Sequence, residues 1–163
     1  MTSCAYCRSR KSDQRTHSFQ PFCTNGDITF VYTSPAAAPL IKTPEEFAVF
    51  KEHLEPFRTK KWTWIMDFQN TGVSHYTDLA FIQMIMTYLD ADHRDTLQSI
   101  WVLNSGYLLH GVIAALQAVS NNQILKKTHL RKITDLPAPL IPILERQMLQ
   151  RQGQPNASTC AKA

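Results

Sequence analysis

Cys4-Ala-Tyr-Cys7, followed by His17 and Cys23, carries the residue types and the count of a Cys3His zinc site. The C-x-x-C pair lets two thiolates reach one tetrahedral ion, and the leader around it has too few apolar residues to fold without a staple. The spacing to His17 and Cys23 follows no standard zinc pattern, so a reduced, metal-free leader is the competing reading. A redox C-x-x-C is disfavoured, since no strand precedes it and no helix obviously follows.

Other chemistry finds little support. The chain has no glycine-rich phosphate loop, no H-E-x-x-H and no G-x-S-x-G, and contains only five glycines. His75, His93, His110 and His129 form no recognisable constellation with Ser or Cys. Asp67, at the end of an apolar run, is the best-placed acid. The task expected of it is to cap the turn at Asn70 to Gly72 or to bond nearby backbone. The sequence therefore predicts a protein that is not an enzyme. Lys126, Lys127, His129, Arg131 and Lys132 form a basic cluster that suits either an anionic lipid surface or a solvated sheet edge.

These residues need a scaffold. At 163 residues, 44% hydrophobic and 18% charged, the composition is that of one folded domain with a real core. A net charge of +4 can help at an anionic membrane but is too small to argue for nucleic acid. No early apolar run follows a charged start, and none reaches the roughly 18 residues that span a bilayer. The expectation is a soluble cytoplasmic protein, peripheral to membranes, with thiols reduced or bound to metal.

Residues 1–26 lack hydrophobic periodicity and are expected to form a leader, 27–151 the domain, and 152–163 a loose tail. Ile28 to Thr33 alternates as a strand. Thr43-Pro44-Glu45-Glu46 is a capping box with proline at the first helical position, and Phe47, Phe50, Leu54 and Phe57 follow as a buried stripe. Trp62 to Phe68 is evenly apolar and fits a central strand covered on both faces. Tyr76 to Asp90 reads as a helix with Leu79, Ile82, Ile85, Met86 and Leu89 on one side. Gln98 to Asn104 is another buried strand, Lys126 to Leu130 a short edge strand, and a last helix runs from about Ile143 to Gln150. The alternation predicts an α/β domain with a mixed, largely parallel sheet of about four to five strands and crossover helices.

Between the last two strands lies Tyr107 to Val119, where only His110, Gly111 and Gln117 interrupt the apolar residues. A helix apolar all round is either buried or covered by something other than water. Simple burial, a partner protein and an acyl chain all satisfy that pattern.

The order WTWIMDFQNTGVSHYTDL, a helix, HRDTLQSIWVLNSGYLLHGVIAAL and KKTHL resembles the CRAL-TRIO lipid-binding domain. Ile65-Met66-Asp67-Phe68 and Gly72 match the family's strand ending in Asp and its glycine-containing turn. His93-Arg94-Asp95-Thr96 stands where the family has Tyr-Pro-Glu-Arg, Asn104 ends the next strand, and Tyr107 to Val119 takes the place of the helix that gates the pocket. Asn104-Ser105-Gly106 replaces the family's Asn-Ala-Pro. The resemblance implies a hydrophobic pocket holding a lipid, phosphoinositide-like among the candidates. Its implied lining is Trp64, Met66, Trp101, Leu103, Tyr107, Leu108, Val112 and Leu116. Asp95 and Lys127 match the headgroup residues, against a plain surface role for both, which is the reading their residue types favour. The implied partners are lipid, a transient anionic membrane surface and, if lipid has been lost, a protein.

Overall fold

The computed structural model describes residues 20–35, 43–75 and 77–146. Five strands form one sheet in sequential order: β1 (Gln20–Asn25), β2 (Ile28–Thr33), β3 (Trp62–Asp67), β4 (Leu97–Leu103) and β5 (Thr128–Leu130). β1 and β2 are antiparallel, joined by the tight turn at Gly26 and Asp27. Gly26 adopts φ 61, a backbone conformation that costs glycine little. β2, β3, β4 and β5 are parallel neighbours, so helical crossovers must join them.

The crossovers are α1 (Pro44–Leu54), α2 (Leu79–Asp92) and α3 (Tyr107–Val119), with a short α4 (Gln123–Lys126) leading into β5. α1 begins where its capping box requires. The Glu46 backbone N–H donates to Thr43 Oγ1 at 3.2 Å, and the Thr43 N–H donates to Glu46 Oε2 at 3.1 Å. α2 begins three residues later than the periodicity predicts, because Asp78 caps it by accepting from the Phe81 N–H. Leu79 is consequently 47% exposed at the first turn, outside the stripe expected to bury it.

All three crossover helices lie on the same face of the sheet. Phe50 and Leu54 of α1, Ile85 and Leu89 of α2, and Leu109 and Ile113 of α3 pack with Val31, Trp62, Trp64, Ile100 and Val102. The opposite face carries Phe30, Tyr32, Ile65 and Leu103, and residues 133–146 cover it through Leu136, Leu140 and Leu144. The prolines at 137, 139 and 142 hold much of this covering in short turns. A last helical stretch occupies 141–146.

Two expectations change. The domain begins before residue 27, because β1 pairs along β2 and Cys23 is buried in the second core. QPFCTN lacks the alternation that marks β2, and a bulge between Pro21 and Cys23 breaks its register. The edge strand is also shorter than predicted: Lys126 belongs to α4 and Lys127 caps it, leaving only Thr128 to Leu130 in β5.

Candidate lipid-binding site

Parallel strands give the sheet two chemically distinct ends. After β3 and β4 the chain turns into α2 and α3, and apolar side chains crowd there in partial exposure. Met66 and Phe68 at the end of β3, and Phe81 and Met86 on α2, pack against the helix-face core without being fully buried. Val73 and Leu79 before and at the start of α2, and Tyr107 and Leu108 at the start of α3, are exposed at the same end. Methionines among aromatic rings make a lining that adapts to flexible ligands.

The facing of each strand residue follows from register. Trp64 is opposite Ile100 and Met66 opposite Val102, all on the helix-covered face. Trp101 is opposite Ile65 and Leu103 opposite Asp67, on the other face, where Trp101 meets Phe30 at 5.6 Å between ring centroids. Trp101 and Leu103 therefore cannot line one cavity with Trp64 and Met66, a correction forced by the two-residue period of a strand. The expected lining mixed both faces, and omitted Phe47, Phe68, Phe81 and Met86 on the face that α3 covers.

α3 answers the question its composition poses. Leu109, Ile113 and Leu116 are buried and Val112 half-buried, a stripe at helical spacing. Tyr107 is 94% exposed, Leu108 54% and Val119 83%, and Gly111, Ala114, Ala115 and Ala118 are exposed with them. The outward face is thus uncharged, open to solvent and, apart from Gln117, apolar. The C-terminal half of α3 is tied down: Gln117 Nε2 donates to the carbonyls of Leu125 at 2.8 Å and Thr128 at 2.9 Å. Beyond it, Asn122 Nδ2 donates to the Met86 carbonyl at 2.9 Å. At its N-terminal end Ser105 Oγ and His110 Nε2 stand 2.8 Å apart. This pairing was invisible in the sequence, where no known motif joins a serine to a histidine five positions on.

Asp67 is buried and joins three strands. It accepts from Tyr32 Oη at 2.6 Å, from Asn104 Nδ2 at 2.8 Å and from the Gln69 backbone N–H at 3.0 Å. The bond to Gln69 is the local backbone contact expected of it; the bonds to Tyr32 and Asn104 needed the sheet order to be foreseen. Asn104 adopts φ 53, a left-handed conformation that asparagine tolerates, and this turns the chain from β4 toward α3.

The opposite end of the sheet holds Asp95 and Lys127. Lys127 Nζ donates to the carbonyl of Arg94 and, at 2.8 Å, to that of Leu97, so two of its three protons clamp the entry to β4. Asp95 is exposed beside it in sequence. The basic cluster is divided by β5: Lys126 precedes the strand, whereas Arg131 and Lys132 follow it at the apolar end, all exposed. His93, in the Tyr-Pro-Glu-Arg position, is fully buried, with Nε2 at 3.2 Å from Tyr88 Oη. Burial pushes the His93 pKa down, partly offset by Asp92. Burial and then the charges of Asp92 and Glu55 push the Tyr88 phenol up to about 12.

Among the described residues no three His, Cys, Asp or Glu side chains gather as a metal site. Cys23 is disulfide-bonded, which removes its sulfur from the expected zinc set and departs from the expectation of reduced or metal-bound thiols. Cys4, Cys7 and His17 lie outside the described residues. No described helix is long and apolar enough to cross a membrane.

A family model described as CRAL/TRIO domain matches residues 46–149, from within α1 onward, and includes the whole of α3. A search of curated proteins finds no match.

Proposed function

The chain belongs to the CRAL/TRIO domain family, a family of lipid-binding and lipid-transfer domains, and on that premise we propose that it binds one phospholipid-like ligand and passes it between membranes. The observation that carries this reading is the outward face of α3, apolar and uncharged in solvent yet backed by a conventional buried stripe. A surface helix gains nothing from such a face unless an apolar ligand or a bilayer covers it during the working cycle. The acyl chains would lie on the helix-covered side of the sheet, against Met66, Phe68, Phe81 and Met86, with Trp64 at the floor and Val112 on the gate. Tyr107, Leu108 and Leu79 form the apolar lip.

Arg131 and Lys132 stand at the same end of the sheet as that lip. Each such charge near an anionic surface contributes about 1 kcal/mol, enough for peripheral and reversible membrane contact from the cytoplasm. The headgroup role implied for Asp95 and Lys127 is narrower, since Lys127 has one proton left for a phosphate after clamping β4.

The test is native mass spectrometry of the purified full chain with lipid extraction, followed by incubation with phosphatidylinositol-containing liposomes. The expected result is a single bound lipid, or its acquisition from the liposomes. Apoprotein recovered from lipid-rich cells, with no uptake from liposomes, would leave the same apolar face to a protein partner.

A further inference from the structure

We propose that Ser105 and His110 form a nucleophile and base that accept an acyl group from a carboxylic ester. This activity is additional to carriage. The identity of the ester as an apolar lipid rests on the reading above; the pair itself stands on its geometry.

β4 ends at Leu103, Asn104 turns the chain at φ 53, and α3 starts at Tyr107. Ser105 therefore sits on a tight strand-to-helix turn at the carboxyl end of a parallel strand. The left-handed residue is Asn104, one position before the serine, so the bend sets Ser105 at the carboxyl rim of the sheet, where parallel α/β folds place their ligands. The turn is held from below, because Asn104 Nδ2 donates to Asp67, which Tyr32 and Gln69 hold in turn. Ser105 Oγ lies 2.8 Å from His110 Nε2, the reach a general base requires.

The ordinary task of a serine here would be to cap the helix, and Ser105 does not perform it. The N-cap is Gly106, and α3 has no side-chain cap bond. The hydroxyl goes to His110 instead. The backbone N–H groups of the first turn of α3 lie next to it in the chain and can donate to an oxyanion. Tyr107 and Leu108, exposed beside the pair, offer an acyl chain an apolar track.

The step balances as acyl transfer. Ser105 Oγ forms a bond to the ester carbonyl carbon while its proton passes to His110 Nε2. The carbon–oxygen bond to the alcohol then breaks, and the departing alcohol takes that proton. Water, deprotonated at His110 Nε2, attacks the acyl-serine. The carboxylic acid leaves as the proton returns to Ser105.

The test is labelling of the full-length protein by a fluorophosphonate probe, read by intact mass and by peptide mapping. The expected result is a single label at Ser105, lost in Ser105→Ala and slowed about 100-fold in His110→Gln. Circular dichroism of both variants establishes that they are folded, and the mapping on the unaltered chain does not depend on them. The proposal is overturned if the unaltered chain takes no label under conditions that label a control serine hydrolase. It also falls if the label maps elsewhere, or if His110→Gln reacts at the original rate. The probe is small and added in buffer. A chain that carries lipid but takes no label loses this proposal alone, and a labelled chain that takes up no lipid loses only the carrier reading.

Discussion

The two ends of the parallel sheet are built from different interactions. At the amino end, charges and clamps close the structure. Lys61 pairs with Asp27, Arg58 with Glu55 and Asp92, Arg94 with Asp90, and Lys127 reaches back to the backbone before β4. Trp62, Phe57, Tyr88 and His93 interlock beneath them. At the carboxyl end the strands are joined by hydrogen bonds around the single carboxylate of Asp67, and the surrounding surface is exposed and apolar. One end holds the strands in register. The other leaves apolar side chains in solvent. Parallel α/β sheets place ligands at the carboxyl ends of their strands, and the division of labour here agrees with that rule.

The sharpest way to break this contrast is at Trp62. It is fully buried at the amino end, against Phe57 at 5.2 Å and His93 at 5.6 Å between ring centroids. Trp62→Ala is expected to cost about 3–5 kcal/mol in chemical denaturation, and therefore to lower the yield of folded protein. A loss below 1 kcal/mol would mean that the amino end is not the structural one.

Asp67 is the polar residue of the carboxyl end whose loss is expected to reach stability. Asp67→Ala leaves the buried hydroxyl of Tyr32 and the amide of Asn104 without their acceptor, at about 1–3 kcal/mol. It also frees the turn before α3, so labelling of Ser105 by a fluorophosphonate should fall together with the melting temperature. Unchanged labelling would separate the Asp67 network from the Ser105–His110 pair.

The amino end is also expected to set the response to pH. His93 has its pKa lowered by burial, so the folded state holds the neutral ring more strongly than the unfolded chain does. The stabilisation is complete above the ordinary value of 6.5 and is lost as pH falls below 6.5 toward the depressed folded value. The groups facing His93 are Tyr88 through its hydroxyl, and Asp92, Arg58 and Glu55 through their charges. Urea midpoints measured from pH 7.5 to pH 5 should decline, and His93→Gln should flatten the decline over that window. An equal decline in the variant would move the origin of the effect elsewhere.

How much of this was legible depends on which signal each feature leaves. β2, α1 and α3 were readable because alternation, a capping box and a long apolar run are local. The α/β class followed from their order. What a sequence does not carry is which face a strand residue takes once several apolar residues run together. Trp62 to Asp67 is covered on both sides, so nothing marked Trp64 and Met66 as sharing a face that Trp101 and Leu103 do not. β1 was missed because its bulge and Pro21 erase the alternation. The carbonyl partners of Lys127 are 33 and 30 positions away, so its clamp on the entry to β4 leaves no local signal in the sequence. Ser105 and His110 are close in sequence, but only the turn at Asn104 brings the hydroxyl to the ring.

The smallest expected change in stability carries the most about function. Tyr107 and Leu108 stand in solvent at the first turn of α3 and contribute little to the core, so Tyr107→Ser and Leu108→Ser should shift unfolding by no more than about 0.5 kcal/mol. If the carboxyl end admits an apolar ligand, the double variant should nonetheless take up lipid from liposomes several-fold more slowly. It loses the apolar lip while Leu109, Ile113 and Leu116 keep α3 seated. Leu116→Asp provides the contrast on the same helix, since it buries an unpaired charge and should unfold the domain outright. Uptake by the double variant at the original rate would show that the exposed face of α3 is not where lipid enters, and would leave the carboxyl end distinguished from the amino end only by its openness.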